Sequence, residues 1–199
     1  MGAFGEGIAA ASACLDPVLP DSFAILSDDQ LVGAAQAVEE LSRKVEALQL
    51  AVAREFDHRT DETLGEDSLA RRLGARKAWG ALETVTRTCA KDARERVLES
   101  RRLAKLPVIE TAVHEGVLGR AQAVAIIGPL IPAADGKDPQ LVEAACTNLI
   151  ELSKTLPATA VVEAAEAWKL VLDPEAPNRW RKPPSRSGSS ASDTLETAS

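Results

Sequence analysis

Aromatic residues are scarce in this chain. Phe4, Phe23, Phe56, Trp79, Trp168 and Trp180 are the only ones among 199 residues, and tyrosine is absent. Base-stacking RNA binders need Phe and Tyr platforms, so that class of function is excluded. Cysteine is nearly as rare. Cys14, Cys89 and Cys146 are too few and too scattered for a disulfide scaffold, and no Cys-x-x-Cys pair offers a zinc ribbon. No run of about 18 apolar residues is present, so no membrane span is expected. The apolar stretch around Ile8–Leu15 lacks the basic start of a signal peptide, which points to a cytoplasmic protein. Phosphate-cradling glycine loops and the Gly-x-Ser-x-Gly nucleophile elbow are also missing, so no cofactor and no covalent catalysis are expected.

A net charge of −7 adds a further apparent exclusion, that of nucleic acid. Charge counted by segment removes it. Residues 27–70 hold 11 acidic and 4 basic side chains, residues 71–105 hold 4 acidic and 11 basic, and residues 106–180 hold 10 acidic and 5 basic. A +7 block thus lies between two acidic segments. Such a block can be a solvated face, a surface docked on the chain's own acids, or a polyanion site.

The hydrophobic pattern is helical throughout, without the strand-like alternation that hairpins require. Residues 1–26 are rich in Gly, Ala and Pro without a sustained period and read as a flexible leader. Ser27 and Gln30 have capping-box spacing, and Asp28 and Asp29 suit a helix N-terminus. A long amphipathic helix is predicted over about Asp28–His58. Leu31, Val38, Val45 and Val52 form one apolar row, and Ala34, Leu41 and Leu48 the next. Four heptads of this kind can zip two chains into a homodimer. The reading favoured from sequence is instead that this face packs inside its own domain.

A polar connector, 57–67, follows, and then a short helix to Leu73 closed by Gly74. His58 with Asp57, Asp61 and Glu62 has no spacing that fixes a metal, so no metal site is expected. The centre reads as helix Lys77–Thr86, a break at Arg87-Thr88-Cys89, and helix Ala90–Lys105. Trp79, Leu82 and Val85 are the inward residues predicted for the first, and Ala93, Val97, Ser100 and Ala104 for the second. Lys91, Arg94, Arg101, Arg102 and Lys105 fall in one arc of roughly 100° on the second helix. Pro107 then starts a short helix closed by Gly116. Arg120–Leu130 is apolar almost all round, which predicts burial, with Pro129 and Pro132 ending it. Asp138-Pro139 and Pro157 start two further helices, the last ending at Asp173-Pro174. The expected fold is all-α, a single multi-helix domain over 27–173 with a helix-turn-helix-like centre. The Pro/Ser/Arg-rich tail, 174–199, cannot bury enough apolar area to offset ordering and reads as disordered.

Several of these segments carry a family resemblance. They are Ala53-Arg54-Glu55-Phe56-Asp57-His58-Arg59, the run from Leu64 to Gly74, Ala93-Arg94-Glu95-Arg96-Val97, the Leu106-Pro107 step through Leu118, and Ala167-Trp168 with Leu172-Asp173-Pro174. In this order and spacing, from about Leu31 to Pro174, the chain resembles domain-of-unknown-function family 222. That family is the helical N-terminal region of bacterial proteins that continue into an HNH endonuclease. Members often carry Gly-x-Ser at the central break. Arg87-Thr88-Cys89 stands there in this chain, which weakens the expectation of a left-handed turn. After Pro174 the resemblance stops, so the chain reads as a truncated product, a frameshifted tail or a short paralogue.

An HNH centre needs a histidine base and further metal ligands in a ββα unit. Only His58 and His114 are present, both predicted at helix ends, so no nuclease activity and no enzyme are expected. Cys89, beside Arg87 and Lys91, reads as a small half-buried residue rather than a nucleophile. The function this leaves is double-stranded DNA binding through Arg87, Lys91, Arg94, Arg101, Arg102 and Lys105, with the acidic first helix facing away from that surface. The alternatives are a helical protein-interaction or oligomerisation module and a remnant without function.

Overall fold

The Ser27 hydroxyl accepts the Gln30 backbone N–H at 3.4 Å, and the Gln30 side chain accepts the Ser27 N–H at 2.9 Å. This reciprocal cap starts the long helix that organises the fold. The computed structural model describes residues 2–18 and 20–174. Among them are nine α-helices and no strand, so the chain is all-α. They are α1 (Ala3–Leu15), α2 (Asp28–His58), α3 (Leu69–Arg72), α4 (Ala78–Thr86), α5 (Ala90–Leu103), α6 (Pro107–His114), α7 (Arg120–Ala134), α8 (Pro139–Ser153) and α9 (Ala158–Leu172). Helices α2 to α9 pack into one continuous body. Residues 175–199, most of the expected disordered tail, lie outside the described residues.

The segment read as a flexible leader contains helical structure. Ala3–Leu15 is helical and Pro20–Ile25 forms a 3-10 segment. Alanine propensity explains the helix without any apolar period. No side chain from Gly5 to Leu15 is buried, and Ile8 and Leu15 are each 48% exposed.

Helix α2 spans Asp28–His58 as predicted, but its orientation overturns the expectation for its apolar rows. The buried residues are Ala47, Leu50 and Ala53. Leu31, Val38, Leu41, Val45, Leu48 and Val52 are all exposed. Two side chains opposite that stripe tie α2 to the body instead. Arg43 donates to the Gly116 carbonyl at 3.2 Å, and the Glu46 carboxylate accepts the Arg120 backbone N–H at 2.9 Å. The side chains of Arg43 and Glu46 also lie against the turn before α7. A Cβ on Gly119 would stand 3.3 Å from Arg43 Cγ, so a larger residue there requires the Arg43 side chain to shift by a few tenths of an ångström.

Two apolar clusters hold the body. The smaller joins α2, α4 and α5 through Ala53, Ala78, Leu82, Ala93 and Val97, with Phe56 and Trp79 at its edge. Three of its five buried members are alanine, which lets the three helices approach closely. The larger is centred on α7, where Ala123, Ala125, Ile126, Ile127, Leu130 and Ala133 are buried against α6, α8 and α9. Each fully buried Leu or Ile there contributes about 1.5–3 kcal/mol. This burial also explains a difference from sequence. Pro129 and Pro132 sit inside α7 rather than ending it. Each removes one backbone hydrogen bond. The helix nevertheless continues to Ala134 because Leu130 and Ala133 are packed in the core. Smaller differences follow the same logic of packing over periodicity. Val85 is exposed where an inward position was expected, and Leu103 replaces Ala104 on the buried face of α5.

Candidate nucleic-acid interface

The break before α5 is built by local hydrogen bonds. Arg87 caps α4 in the left-handed region at φ 55°, the one described non-glycine residue with positive φ. The departure from Gly-x-Ser therefore does not abolish a left-handed turn. A non-glycine residue there costs about 1–2 kcal/mol. Flanking contacts hold it in place: Arg87 N–H to the Glu83 carbonyl at 2.8 Å, Thr86 hydroxyl to the Leu82 carbonyl at 2.7 Å, and the Thr86 and Thr88 hydroxyls 2.9 Å apart. Cys89 is exposed and caps α5, its Sγ accepting the Asp92 N–H at 3.4 Å. That is the role of a cap, not the half-buried position read from sequence.

Helix α5 then sorts its charges onto different sides. Ala93, Val97, Ser100 and Leu103 face the core. Asp92 and Glu99 turn toward the start of α7, where Arg120 meets Glu99 at 2.7 Å and Asp92 at 3.2 Å, and Arg96 meets Asp92 at 2.6 Å. These carboxylates and hydrogen bonds hold the Arg120 guanidinium above its ordinary pKa, against the opposing effect of burial. Two of the four acids in the basic block are thereby neutralised away from the outer face. Lys91, Arg94 and Arg102 lie on that outer face and Lys105 in the turn just after the helix, all exposed. Lys91 has Glu95 at 3.9 Å, and Arg94 sits 5.9 Å from the centroid of the Trp79 ring, a cation–π distance. Arg102 and Lys105 make no ion pair with the described residues. Arg87 is exposed in the turn that leads into this row.

Arg101 departs from the sequence reading. Its Nε and Nη2 donate to the two Asp57 carboxylate oxygens at 2.7 and 2.6 Å. These bonds raise the Arg101 pKa further. The first helix therefore does not face away from the basic surface. Its C-terminal turn supplies a carboxylate to it. The two helices run side by side because Ala53 and Val97 share the small core, which brings the next turn of each into reach. Around this pair is a cleft of about 170 Å³ lined by Asp57, Thr60, Asp61, Arg76, Lys77, Ala78, Trp79 and Arg101. Arg76 and Lys77 thus join Arg101 at the surface, although they were not among the predicted site residues. The available signal was their place in the +7 block just before Trp79. Asp61 also borders the cleft, and two hydrogen bonds from Thr63, one from its hydroxyl and one from its N–H, lower the Asp61 pKa.

Other candidates stay apart. His58 ends α2 and His114 ends α6, both exposed. Glu110, one turn before His114, pairs with Arg54 of α2 instead. Among the described residues no group of three or more His, Cys, Asp or Glu could hold a metal ion. No described helix is long and apolar enough to cross a membrane. No family model, curated protein or solved structure matches the chain.

Proposed function

We propose that this chain is a double-stranded DNA-binding helical domain of the kind that precedes HNH endonucleases, acting in the cytoplasm and without nuclease activity of its own. One observation carries the reading: Lys91, Arg94 and Arg102 share the outer face of α5, with Lys105 exposed in the turn just after it, while Asp92 and Glu99 are held on another side by Arg120. From Lys91 to Arg102 the row runs about 16.5 Å at 1.5 Å per residue. It exceeds the roughly 12 Å width of the major groove, so its ends reach phosphates on both strands. The α4–turn–α5 arrangement supports the same reading by analogy with helix-turn-helix proteins.

Fluorescence anisotropy with labelled duplex DNA tests it. Four phosphate contacts give a log-affinity against log-salt slope of about −3.6. Charge reversal of Arg94, Arg102 and Lys105 abolishes binding. A wild-type chain that does not bind at low salt would overturn the proposal.

A second reading, an interaction module, is favoured by a different observation, the exposed apolar stripe of α2.

A further inference from the structure

The apolar stripe of α2 runs down the side that its own domain leaves bare. With Leu31 as heptad position a, Val38, Val45 and Val52 are also a, and Ala34, Leu41 and Leu48 are d. The six large members are between 38% and 56% exposed. The buried residues Ala47, Leu50 and Ala53 occupy c, f and b. On a helix of 3.6 residues per turn, the two sets lie about 150° apart. Moreover, residues 28–42 include no buried side chain, so half of the helix has no core of its own. A lone helix of about 15 residues is marginal in water and needs lateral packing.

We propose that a second copy of this chain covers the stripe, its α2 pairing with the first as a parallel two-stranded coiled coil. Three observations choose this occupant. Valine at a with leucine at d is the core pattern that favours two parallel strands. The flanking e and g positions are Ala35, Ala37, Ser42, Lys44, Gln49 and Ala51, with one charge among them. An identical helix therefore brings no like charges together: Lys44 at g faces Gln49 of the partner subunit at e. Finally, the body of each subunit lies on the outer side of the pair and leaves the seam clear. This inference rests on the interaction reading of α2 and not on DNA binding.

Sedimentation equilibrium on the full chain tests it, with twice the 21.0 kDa chain mass expected for wild type. The L41E/L48E variant halves that mass, while E40K, at an outer position, retains it. A V38C variant in a C14S/C89S background forms a disulfide-linked dimer on mild oxidation, because a residues face each other in a parallel pair. A wild-type monomer at all concentrations overturns the proposal, as does a dimer that persists in L41E/L48E. A dimer in which Cys-substituted position 38 does not cross-link overturns the parallel arrangement. Binding of the fluorescent probe ANS separates failure here from failure of the interaction reading. A monomer whose ANS signal is lost in L41E/L48E keeps a bare stripe for another protein, and a monomer without any ANS signal removes both.

Discussion

Replacement of Asp57 by asparagine probes the link between the long helix and the basic face. The wild-type carboxylate takes two hydrogen bonds from Arg101, at 2.7 and 2.6 Å, and this geometry is bidentate. The Arg101 side chain is 51% exposed and that of Asp57 is 21% exposed. Water and salt therefore screen much of the attraction, and the pair contributes about 0.5–1 kcal/mol. For a domain of this size the melting temperature of D57N falls by roughly 1–4 °C. The effect on DNA runs in the opposite direction. Arg101 is released as a fifth phosphate contact, and the salt slope steepens by about 0.9, from about −3.6 to about −4.5. At 0.1 M salt that contact strengthens binding by roughly eightfold relative to 1 M. Anisotropy titrations from 50 to 200 mM salt, run beside thermal melts, read both quantities. A D57N protein that is destabilised but binds DNA with an unchanged slope would refute the placement of Arg101 at the interface. A lower affinity would refute it too.

Further outcomes follow from the packing and the charges. Ile126→Ala removes a fully buried side chain of α7 and costs about 2–5 kcal/mol by chemical denaturation. Arg120→Ala leaves Asp92 and Glu99 partly buried without their cation. Because Arg120 is 22% and Glu99 13% exposed, the loss in the same assay falls somewhat below the roughly 3–5 kcal/mol of a fully buried pair. Cys146 is buried, and desolvation with nearby Glu143 pushes its thiol up to about 11, so in native protein a thiol reagent at pH 8 titrates Cys14 and Cys89 but not Cys146. The same raised pKa favours the folded state below the thiol's unfolded value near 8.5, and this contribution is lost as pH rises toward 11, which alkaline melts of wild type against C146A measure. Thr63→Ala removes the hydroxyl donor to Asp61, so the carboxyl pKa rises toward its ordinary value in an NMR titration. The contribution of that hydrogen bond is present above the ordinary carboxylate range and lost as pH falls through the lowered value.

Local chemistry in the sequence determined most of the helices. The Ser27–Gln30 pair fixed the start of α2, Asp138-Pro139 that of α8, and Gly74 and Gly116, both at positive φ, closed α3 and α6. These signals are readable because caps and turns involve neighbours within four residues. The separate basic face of α5 was legible for the same reason, since helical geometry alone groups Lys91, Arg94 and Arg102. Orientation was not legible. Periodicity shows that α2 has an apolar stripe, but not whether its own domain or another chain covers it. Only the tertiary structure decided that Leu50 and its neighbours face the core while Leu41 and Leu48 face out. Packing likewise carried α7 through Pro129 and Pro132. The pairing of Asp57 with Arg101, 44 residues apart, depends on how α2 and α5 dock through Ala53 and Val97. No local pattern encodes that contact, because it is set by where two helices cross. The sequence by itself thus determined where the charges lie along each helix. The fold decided which of them remain available to a partner.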